Sequence, residues 1–308
     1  MKVLILGAGA GGAAAVAQLT LAGHEVTLWN RSTETLAPLQ QIGGVAFKGV
    51  LGEGVARLAK MTTDLRDARD GVDAAVVMLP TFAHAGVARS MIEADWPGDV
   101  PVILNPGHTG GALEFSHTYV SAGCSLPPIA EFSTLTYVAR KYQPDTVNIS
   151  GCAKKVRVAP LPDGDPALEA AAALFPCADP APDILFSGLS NVNMVLHPPG
   201  AILAAAWVEA SGGEFTFYVD AMTPGVERVM RELDGERRAV GGAFGHGLPS
   251  LIAEMQRIGT VEEGFCRDDD FAAAISGGVA NSRIKAPDSL KHRYYLEDFG
   301  HGLVPFLA

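Results

Sequence analysis

A glycine-rich turn near the start of the chain constrains its fold more than any other feature of the sequence. Residues 3–6 form an apolar run typical of a buried parallel strand, and residues 13–21 have the composition of a helix. Between them, Gly7, Gly9 and Gly12 supply the spacing G-x-G-x-x-G. In this context the first glycine permits a tight turn, the second lets the backbone approach a pyrophosphate, and the third lets the helix pack on the strand. The pattern predicts a Rossmann domain that binds a nicotinamide dinucleotide, with the phosphates at the helix N-terminus.

The same stretch has a second interpretation, because residues 3–23 carry no charge and follow Lys2. A signal peptide or a membrane helix would share these properties. However, five glycines interrupt the run, together with Gln18 and Thr20. A strand, a turn and a buried helix explain these residues better, so we expect a cytoplasmic protein with no membrane partner.

Composition and charge narrow the classes of partner. The 308 residues are 48% hydrophobic and 19% charged, which is typical of a globular chain long enough for two domains. The formal net charge of −11 argues against nucleic acid, whose phosphates require a basic surface. It does not argue against an anionic small molecule, because a few local arginines or lysines can override the global sign.

The cysteines indicate no metal site. They are scattered, with no C-x-x-C pair and no tight cluster of cysteine and histidine, so we expect free, buried thiols in a reducing compartment and no bound metal. The four are Cys124, Cys152, Cys177 and Cys266.

Apolar runs alternate with helical stretches through the first half of the chain. Residues 25–29, 74–79 and 100–104 are predicted strands, and the later two are each followed by a helical segment. This rhythm predicts a doubly wound parallel sheet with helices on both faces. Residues 45–58 indicate an irregular excursion or a small hairpin.

Further along, the strand signals become fewer. Residues 146–149 and 155–158 are predicted to be neighbouring strands, and the proline-rich residues 176–182 are a predicted linker. The segments that follow have helical composition. We therefore expect a Rossmann dinucleotide-binding domain over residues 1–183 and a mainly α-helical substrate domain over residues 184–308.

The end of the second predicted strand favours one cofactor over another. An acidic residue there would bind the ribose 2′-hydroxyl of NAD and repel a 2′-phosphate. This chain has Asn30, followed by Arg31 and Ser32. An arginine can meet a phosphate with its planar fork, and a serine can add a hydroxyl donor. The three residues favour NADP, with NAD as the alternative, over an ordinary solvated loop.

The loops after the later strands are expected to line the nicotinamide half of the cleft, because ligands of open α/β sheets lie beyond the carboxyl ends of the strands. These loops are residues 79–81 and 105–108. His84 and His108 occupy suitable positions, but loop histidines are more often solvated or structural. We therefore leave both outside the predicted catalytic set.

Two clusters in the second half carry acid–base and anion-binding residue types. His197 follows an apolar run and precedes two prolines, which restrict its backbone, and an imidazole titrates near neutrality. Arg293 and Asp298 lie near the far end of the chain. An arginine can clamp a carboxylate, and an aspartate can orient an imidazole. Taken alone, His197 fits a structural histidine better than a catalytic one, and the second cluster also fits a charged surface helix with internal ion pairs.

Longer stretches resemble the octopine/nopaline dehydrogenases, the opine dehydrogenase family. They occur in the family's order and span nearly the whole chain, which makes the series more specific than any one motif. They are GAGAGG at the start, LNPGHTGGALEF from 104, IAEFSTLTYVAR from 129, NVNMVLHPPG from 191, FTFYVDAMTPGVERVMRELDGER from 215 and APDSLKHRYYLEDFGHGLVP from 286.

The resemblance implies a substrate held between the Rossmann and helical domains. It also implies condensation of an amino acid with a 2-oxo acid, followed by reduction of the imine with NAD(P)H to a secondary amine. The family's acid/base histidine falls on His197, its partner aspartate on Asp298 and its carboxylate-binding arginine on Arg293.

The chain departs from the family pattern in two places. Residues 299–301 replace a hydrophobic–proline step, which we expect to loosen the loop after Asp298. Relatives also continue with helical sequence beyond the position of Ala308. Without that sequence, we expect either apolar surface that a homodimer could cover or impaired activity. Two other functions remain open: a simple keto- or hydroxy-acid reductase of the same two-domain plan, and a non-catalytic NADP-binding sensor.

Overall fold

An eight-stranded sheet forms the centre of the first half of the chain, in a computed structural model that describes residues 1–262, 270–278, 281–282 and 284–308. From edge to edge its strands are β12 (Ala178–Pro180), β11 (Val156–Pro160), β8 (Ile129–Phe132), β7 (Val102–Leu104), β6 (Ala74–Val77), β1 (Lys2–Leu6), β2 (Glu25–Trp29) and β5 (Lys60–Thr62). Neighbouring strands are parallel except β8 and β11. Every residue of β6, β7 and β8 is buried, as expected of strands covered on both faces. The predicted doubly wound fold is confirmed.

Helices cover both faces of this sheet. They are α1 (Ala10–Leu21), α2 (Thr33–Ile42), α3 (Leu65–Arg69), α4 (His84–Glu93), α5 (Gly111–Ser121) and α6 (Asp165–Leu174). The sequence of α1 is apolar all round because the helix packs on the large sheet with one side and on a second, smaller sheet with the other. This burial explains the long uncharged run at the start of the chain.

The smaller sheet has four strands, in the order β4 (Gly54–Arg57), β3 (Gly44–Gly49), β10 (Thr146–Cys152) and β9 (Tyr137–Arg140). β3 and β4 form the hairpin that the sequence indicated. The prediction that residues 146–149 and 155–158 are neighbouring strands is wrong, because β10 pairs with β3 whereas β11 joins the large sheet. Both segments have strand composition, but their partners are set by contacts distant in sequence.

The predicted linker at 176–182 is also partly wrong. Its residues 178–180 form β12, which pairs in parallel with β11 at the edge of the large sheet. Prolines are tolerated at that edge because the outer side of an edge strand needs no hydrogen-bond donor. The next element, α7 (Ile184–Leu189), begins a run of helices.

The second half is helical, as predicted. Its elements are α7, α8 (Asn193–Leu203), α9 (Ala205–Ser211), α10 (Pro224–Ala243), α11 (Leu251–Ile258), α12 (Phe271–Gly277), α13 (Arg293–Asp298) and α14 (Val304–Leu307). An apolar core of its own surrounds Met194, Phe217 and Met230. Within the described part of the chain, no helix is both long and apolar enough to cross a membrane.

The segment after α13 differs from the expected loose loop. Phe299–Leu303 forms a turn of π-helix, with non-helical dihedral angles at His301, and it joins α13 to α14. Gly302 packs close to Met194 of α8. The departure from the family pattern at 299–301 therefore leaves a helical connection in place.

The cysteines only partly match their prediction. Three of them are free thiols: Cys124, Cys152 and Cys177. Of these three only Cys177 is buried, and Cys152, the last residue of β10, is exposed. Cys266 lies outside the described residues. Among those residues, no group of three or more histidine, cysteine, aspartate or glutamate side chains is arranged to hold a metal ion.

Candidate active site

The structure brings His197 and Asp298 together, although they lie on different helices. His197 is in α8 and Asp298 is the last residue of α13, and Nδ1 of the histidine is 2.8 Å from Oδ2 of the aspartate. Both side chains are buried. Pro198 and Pro199 follow the histidine inside α8, so this turn of the helix lacks two backbone donors and its φ angles are fixed.

The carboxylate determines how His197 can act. With Asp298 accepting from Nδ1–H, the lone pair of His197 lies on Nε2, which makes Nε2 the proton acceptor. Burial lowers the pKa of His197 below its ordinary value, against the raising effect of Asp298. The imidazole is therefore neutral at neutral pH and available as a base.

Two tyrosine hydroxyls continue the hydrogen bonding from Nε2. The hydroxyl of Tyr218 lies 2.7 Å from Nε2 of His197, and the hydroxyl of Tyr294 lies 3.0 Å from that of Tyr218. The ring of Tyr294 also stacks on the imidazole, with centroids 3.8 Å apart and planes within 19°. All three rings are buried, so hydrogen bonds and stacking together fix the orientation of the imidazole.

Arg293 begins the helix that Asp298 ends. Its side chain is 41% exposed, and its guanidinium is 4.0 Å from Oε2 of Glu297. Its positive charge adds to burial in lowering the pKa of His197, so the two groups are electrostatically coupled. Arg293 therefore combines closeness to the histidine–aspartate pair with a partly accessible fork, which a bound carboxylate requires.

A second buried histidine–carboxylate pair lies beside the first. Oε1 of Glu297 is 3.2 Å from Nδ1 of His108 and accepts from the backbone N–H of Thr81 at 2.9 Å. Burial raises the pKa of Glu297, but His108 and the Thr81 N–H outweigh it and hold that pKa well below its usual range. The other ring nitrogen of His108, Nε2, is 3.4 Å from the side-chain amide nitrogen of Asn193. These contacts join α13 to the loops that follow β6 and β7.

His84, the other loop histidine, is buried on the first turn of α4. Its Nε2 lies 3.3 Å from the carbonyl oxygen of Leu79, and burial lowers its pKa to about 4. His84 and His108 are therefore both enclosed groups rather than solvated loop histidines.

The glycine turn has the geometry that a dinucleotide site requires. Gly7 has φ of +113°, and a Cβ on Gly12 would lie 1.8 Å from the carbonyl oxygen of Gly7, so a side chain at either position would distort the turn. The space above Gly9 is open, and no described side chain caps the N-terminus of α1. The first N–H groups of α1 are thus left for an anionic ligand.

The three residues after β2 divide into supporting and accessible groups. Asn30 supports the turn, because its Oδ1 accepts from the N–H of Ala8 at 3.1 Å. Ser32 caps α2 by accepting from the N–H of Thr35 at 3.2 Å, and its own hydroxyl proton has no acceptor among the described residues. Arg31 is exposed and makes no ion pair or hydrogen bond with the described residues. A fit to a 2′-phosphate depends mainly on Arg31.

Lys141 adds a cation that was not predicted from the sequence. Its ammonium donates to the carbonyl oxygen of Ala8 at 3.2 Å, although it is more than 130 residues away along the chain. Partial burial lowers its pKa. The glycine turn therefore has a positive charge at its side that motif reading could not locate.

Comparisons with known proteins identify relatives of both halves of the chain. Residues 180–308 match the family described as NAD/NADP octopine/nopaline dehydrogenase, alpha-helical domain, and residues 3–104 match ketopantoate reductase PanE/ApbA. The opine dehydrogenase of Arthrobacter sp. (strain 1C) is 31% identical over 98% of this chain and 82% of its own length. The chain belongs to the opine dehydrogenase family. It is therefore an NAD(P)-dependent oxidoreductase acting on CH–NH bonds.

More distant relatives match nearly the whole chain, in sequence or in fold. Vitopine synthase of Allorhizobium ampelinum is 26% identical to this opine dehydrogenase family member, and the match covers 98% of the present chain and 83% of the synthase. Octopine dehydrogenase in complex with NADH and agmatine superposes with a TM-score of 0.74 at 18% identity, over 99% of this chain and 83% of that one. NADP⁺-bound yersinopine dehydrogenase superposes with a TM-score of 0.69 at 17% identity, over 100% of this chain and 78% of that one.

Several site residues of this family member were not found from the sequence. Tyr218 and Tyr294 lie within the stretches quoted for the resemblance, but nothing in their spacing indicates that their hydroxyls meet His197. Glu297 precedes Asp298, so its carboxylate was a visible candidate, yet its partner His108 lies far away in sequence. Adjacent acidic residues at the end of a site helix were the available signal.

Proposed function

We propose that this protein catalyses an NADPH-dependent reductive condensation of an amino acid with a 2-oxo acid, giving a secondary-amine dicarboxylate. The observation that carries the proposal is the buried His197–Asp298 pair with Arg293 five residues before the aspartate on the same helix. A buried imidazole paired with a carboxylate, on the same side of the site as an arginine fork, supports acid–base chemistry on a bound carboxylate in a member of this family. Residues 1–183 are assigned to cofactor binding and residues 184–308 to substrate binding.

The acid–base steps follow from the protonation state of His197. As a neutral base, it accepts a proton from the substrate ammonium, and the free amine attacks the carbonyl carbon of the 2-oxo acid. The imidazolium, stabilised by Asp298, then returns that proton to the hydroxyl that leaves as water. The resulting iminium is a better hydride acceptor than a neutral ketone. Bound NADPH supplies the hydride.

Arg293 is assigned to a substrate carboxylate. Both substrates are acids and the protein has a net charge of −11, so a local cation must hold at least one of them. Arg293 has an accessible guanidinium next to the catalytic pair. Solved octopine dehydrogenases contain NADH with L-arginine in one case and with pyruvate in another, which supports these substrate classes.

NADPH is the preferred cofactor in this proposal. The support is Arg31, which is exposed and without a described partner, directly after Asn30, the residue that stands where an NAD enzyme would carry a carboxylate. An NADP⁺-bound relative, yersinopine dehydrogenase, has the same fold.

The test is NADPH oxidation with the 2-oxo acid alone, the amino acid alone, and both together, over a panel of each, with mass analysis of the products. A secondary-amine dicarboxylate formed only in the mixture supports the proposal. A hydroxy acid formed from the 2-oxo acid alone would replace it with a simple reductase, which the ketopantoate reductase match over residues 3–104 favours as second candidate. NADPH binding without any turnover would indicate a sensor.

A further inference from the structure

We propose that the hydroxyl of Tyr218 carries protons between Nε2 of His197 and the substrate, so that the histidine acts through this tyrosine rather than by direct contact. The proposal rests on the acid–base function proposed above for His197. It concerns a group that neither the sequence motifs nor the histidine–aspartate pair identifies.

The first argument is the occupancy of Nε2. Asp298 holds Nδ1, so Nε2 is the only nitrogen of His197 that can exchange a proton, and it has a single lone pair in the ring plane. That lone pair faces the hydroxyl of Tyr218 at 2.7 Å. While Tyr218 stays there, no substrate atom can make the same hydrogen bond.

The second argument is the direction of the hydrogen bonds. Because Nε2 is an acceptor, Tyr218 must donate to it, and Tyr294 then donates to the oxygen of Tyr218 at 3.0 Å. A hydroxyl oxygen has two lone pairs, and only one of them is used by Tyr294. The remaining lone pair of Tyr218 can accept a proton from a substrate group.

The third argument is enclosure. Tyr294 stacks on one face of the imidazole, and Phe217 lies edge-on with its centroid 6.1 Å from that of His197. His197, Tyr218 and Tyr294 are all buried, so solvent has no direct approach to Nε2. Burial also raises the pKa of Tyr218 well above its ordinary value, which keeps it a neutral hydroxyl rather than a phenolate.

The proton balance closes without any further reagent. In the basic step, the substrate ammonium gives a proton to the oxygen of Tyr218 as the hydroxyl proton of Tyr218 moves to Nε2 of His197. In the acidic step, the imidazolium returns a proton to that oxygen as the hydroxyl proton of Tyr218 moves to the departing hydroxyl group, which leaves as water. The tyrosine is unchanged after each step.

The experiment compares Tyr218→Phe with Tyr294→Phe, which removes the next hydroxyl but keeps the Tyr218–His197 contact, and with Tyr142→Phe on the exposed surface. We expect kcat to fall about 10²-fold in Tyr218→Phe, much less in Tyr294→Phe, and not at all in Tyr142→Phe. In mixtures of light and heavy water, we expect a curved proton inventory for the wild type, since two protons move, and a linear one for the residual activity of Tyr218→Phe. NADPH affinity should match the wild type in all three.

The proposal would be overturned if Tyr218→Phe kept a kcat within about threefold of the wild type, or an equally curved proton inventory. Either result would mean that the substrate displaces Tyr218 and reaches Nε2 of His197 directly. If the variant loses NADPH binding through misfolding, 3-fluorotyrosine at 218 keeps the ring and makes the hydroxyl more acidic. A shifted pH profile of kcat supports the relay, and an unshifted one overturns it.

The wild-type substrate screen is completed first, so that a failure of the proposed condensation can be distinguished from a failure of the tyrosine relay. Nitrogen NMR of His197 in the free enzyme needs no substrate. Loss of the hydrogen-bond shift at Nε2 in Tyr218→Phe supports the donor assignment, and an unchanged shift overturns the relay whatever the substrates prove to be.

Discussion

Glu297 and Asp298 are consecutive residues, yet their carboxylates hold two different buried histidines. Asp298 accepts from His197 of the helical half, and Glu297 pairs with His108 in the loop after β7. One end of α13 therefore orients the proposed base and also joins the helix to the loops that follow β6 and β7 of the Rossmann domain. A small displacement of α13 would change both at once.

We expect the Glu297–His108 pair to stabilise the contact between the two halves. Glu297→Gln keeps an oxygen for the N–H of Thr81 but removes the charge that faces His108. Breaking a buried pair costs about 3–5 kcal/mol, so the midpoint of urea unfolding should fall clearly. The exposed Glu53→Gln is the matched control. Unfolding midpoints equal to the wild type in both variants would show that the pair is not stabilising.

Arg31 is expected to select the phosphorylated cofactor. A charge-assisted hydrogen bond contributes about 1.5–3 kcal/mol, so Arg31→Ala should weaken NADPH binding about ten- to a hundredfold and leave NADH binding nearly unchanged. Dissociation constants from fluorescence titration measure this. Arg228→Ala, on an exposed position of α10, controls for loss of surface charge. Equal losses for the two cofactors would contradict the 2′-phosphate assignment.

His197 and Asp298 are expected to act as one unit. General acid–base help is typically about 10²- to 10⁴-fold in rate, and His197→Ala and Asp298→Ala should each lose a large part of it. The double variant should lose little more, because the aspartate acts only through the imidazole. Single-turnover rates of the three variants provide the comparison. If the two losses multiply, the residues are not partners.

The fork of Arg293, and not only its charge, is expected to matter. Arg293→Lys keeps the positive charge but cannot bind a carboxylate through two parallel hydrogen bonds. We expect a raised KM for a carboxylate substrate and a lower kcat/KM. Lys291→Arg, two residues earlier and exposed, is the control. Kinetics of Arg293→Lys indistinguishable from the wild type would remove this residue from the substrate site.

Glu131 gives the protein a measurable dependence of stability on pH. Its carboxyl is buried in β8, with Oε1 lacking any described partner, and burial raises its pKa from 4.5 to about 8. The folded state therefore keeps a proton that the unfolded state loses above pH 4.5. The contribution of Glu131 to the free energy of unfolding is fully present below pH 4.5 and is lost as the pH rises through 8. At about 1.4 kcal/mol per pKa unit, the loss is on the order of 5 kcal/mol.

Glu131→Gln removes this titration while keeping an oxygen for the N–H of Ala112, which Oε2 of Glu131 accepts at 2.8 Å. We expect the difference in unfolding free energy between variant and wild type to shift in favour of the variant between pH 5 and pH 9. Urea unfolding across that range measures it. A difference that does not change with pH would mean that Glu131 is already ionised in the folded protein.

The sequence predicted the parts of the fold that depend on neighbouring residues. The β1–turn–α1 unit was predictable because a buried strand, close glycines and an apolar helix each leave a local pattern. The separation of β10 and β11 into different sheets was not, because strand pairing depends on partners far along the chain. His197, Arg293 and Asp298 were located through the family resemblance. Their surroundings, such as Tyr218 and His108, required three-dimensional contacts.

The pairing of β3 with β10 has a consequence for biosynthesis. Ala46 lies opposite Thr146, so the two strands are about a hundred residues apart along the chain. During translation, the hairpin β3–β4 and the outer side of α1 leave the ribosome well before the strand that completes their cover. The apolar face of α1 must wait for residues 137–152 while it is exposed to chaperones and to other nascent chains. Synthesis halted near residue 130 should therefore yield a polypeptide that aggregates or is degraded, rather than a folded cofactor-binding fragment.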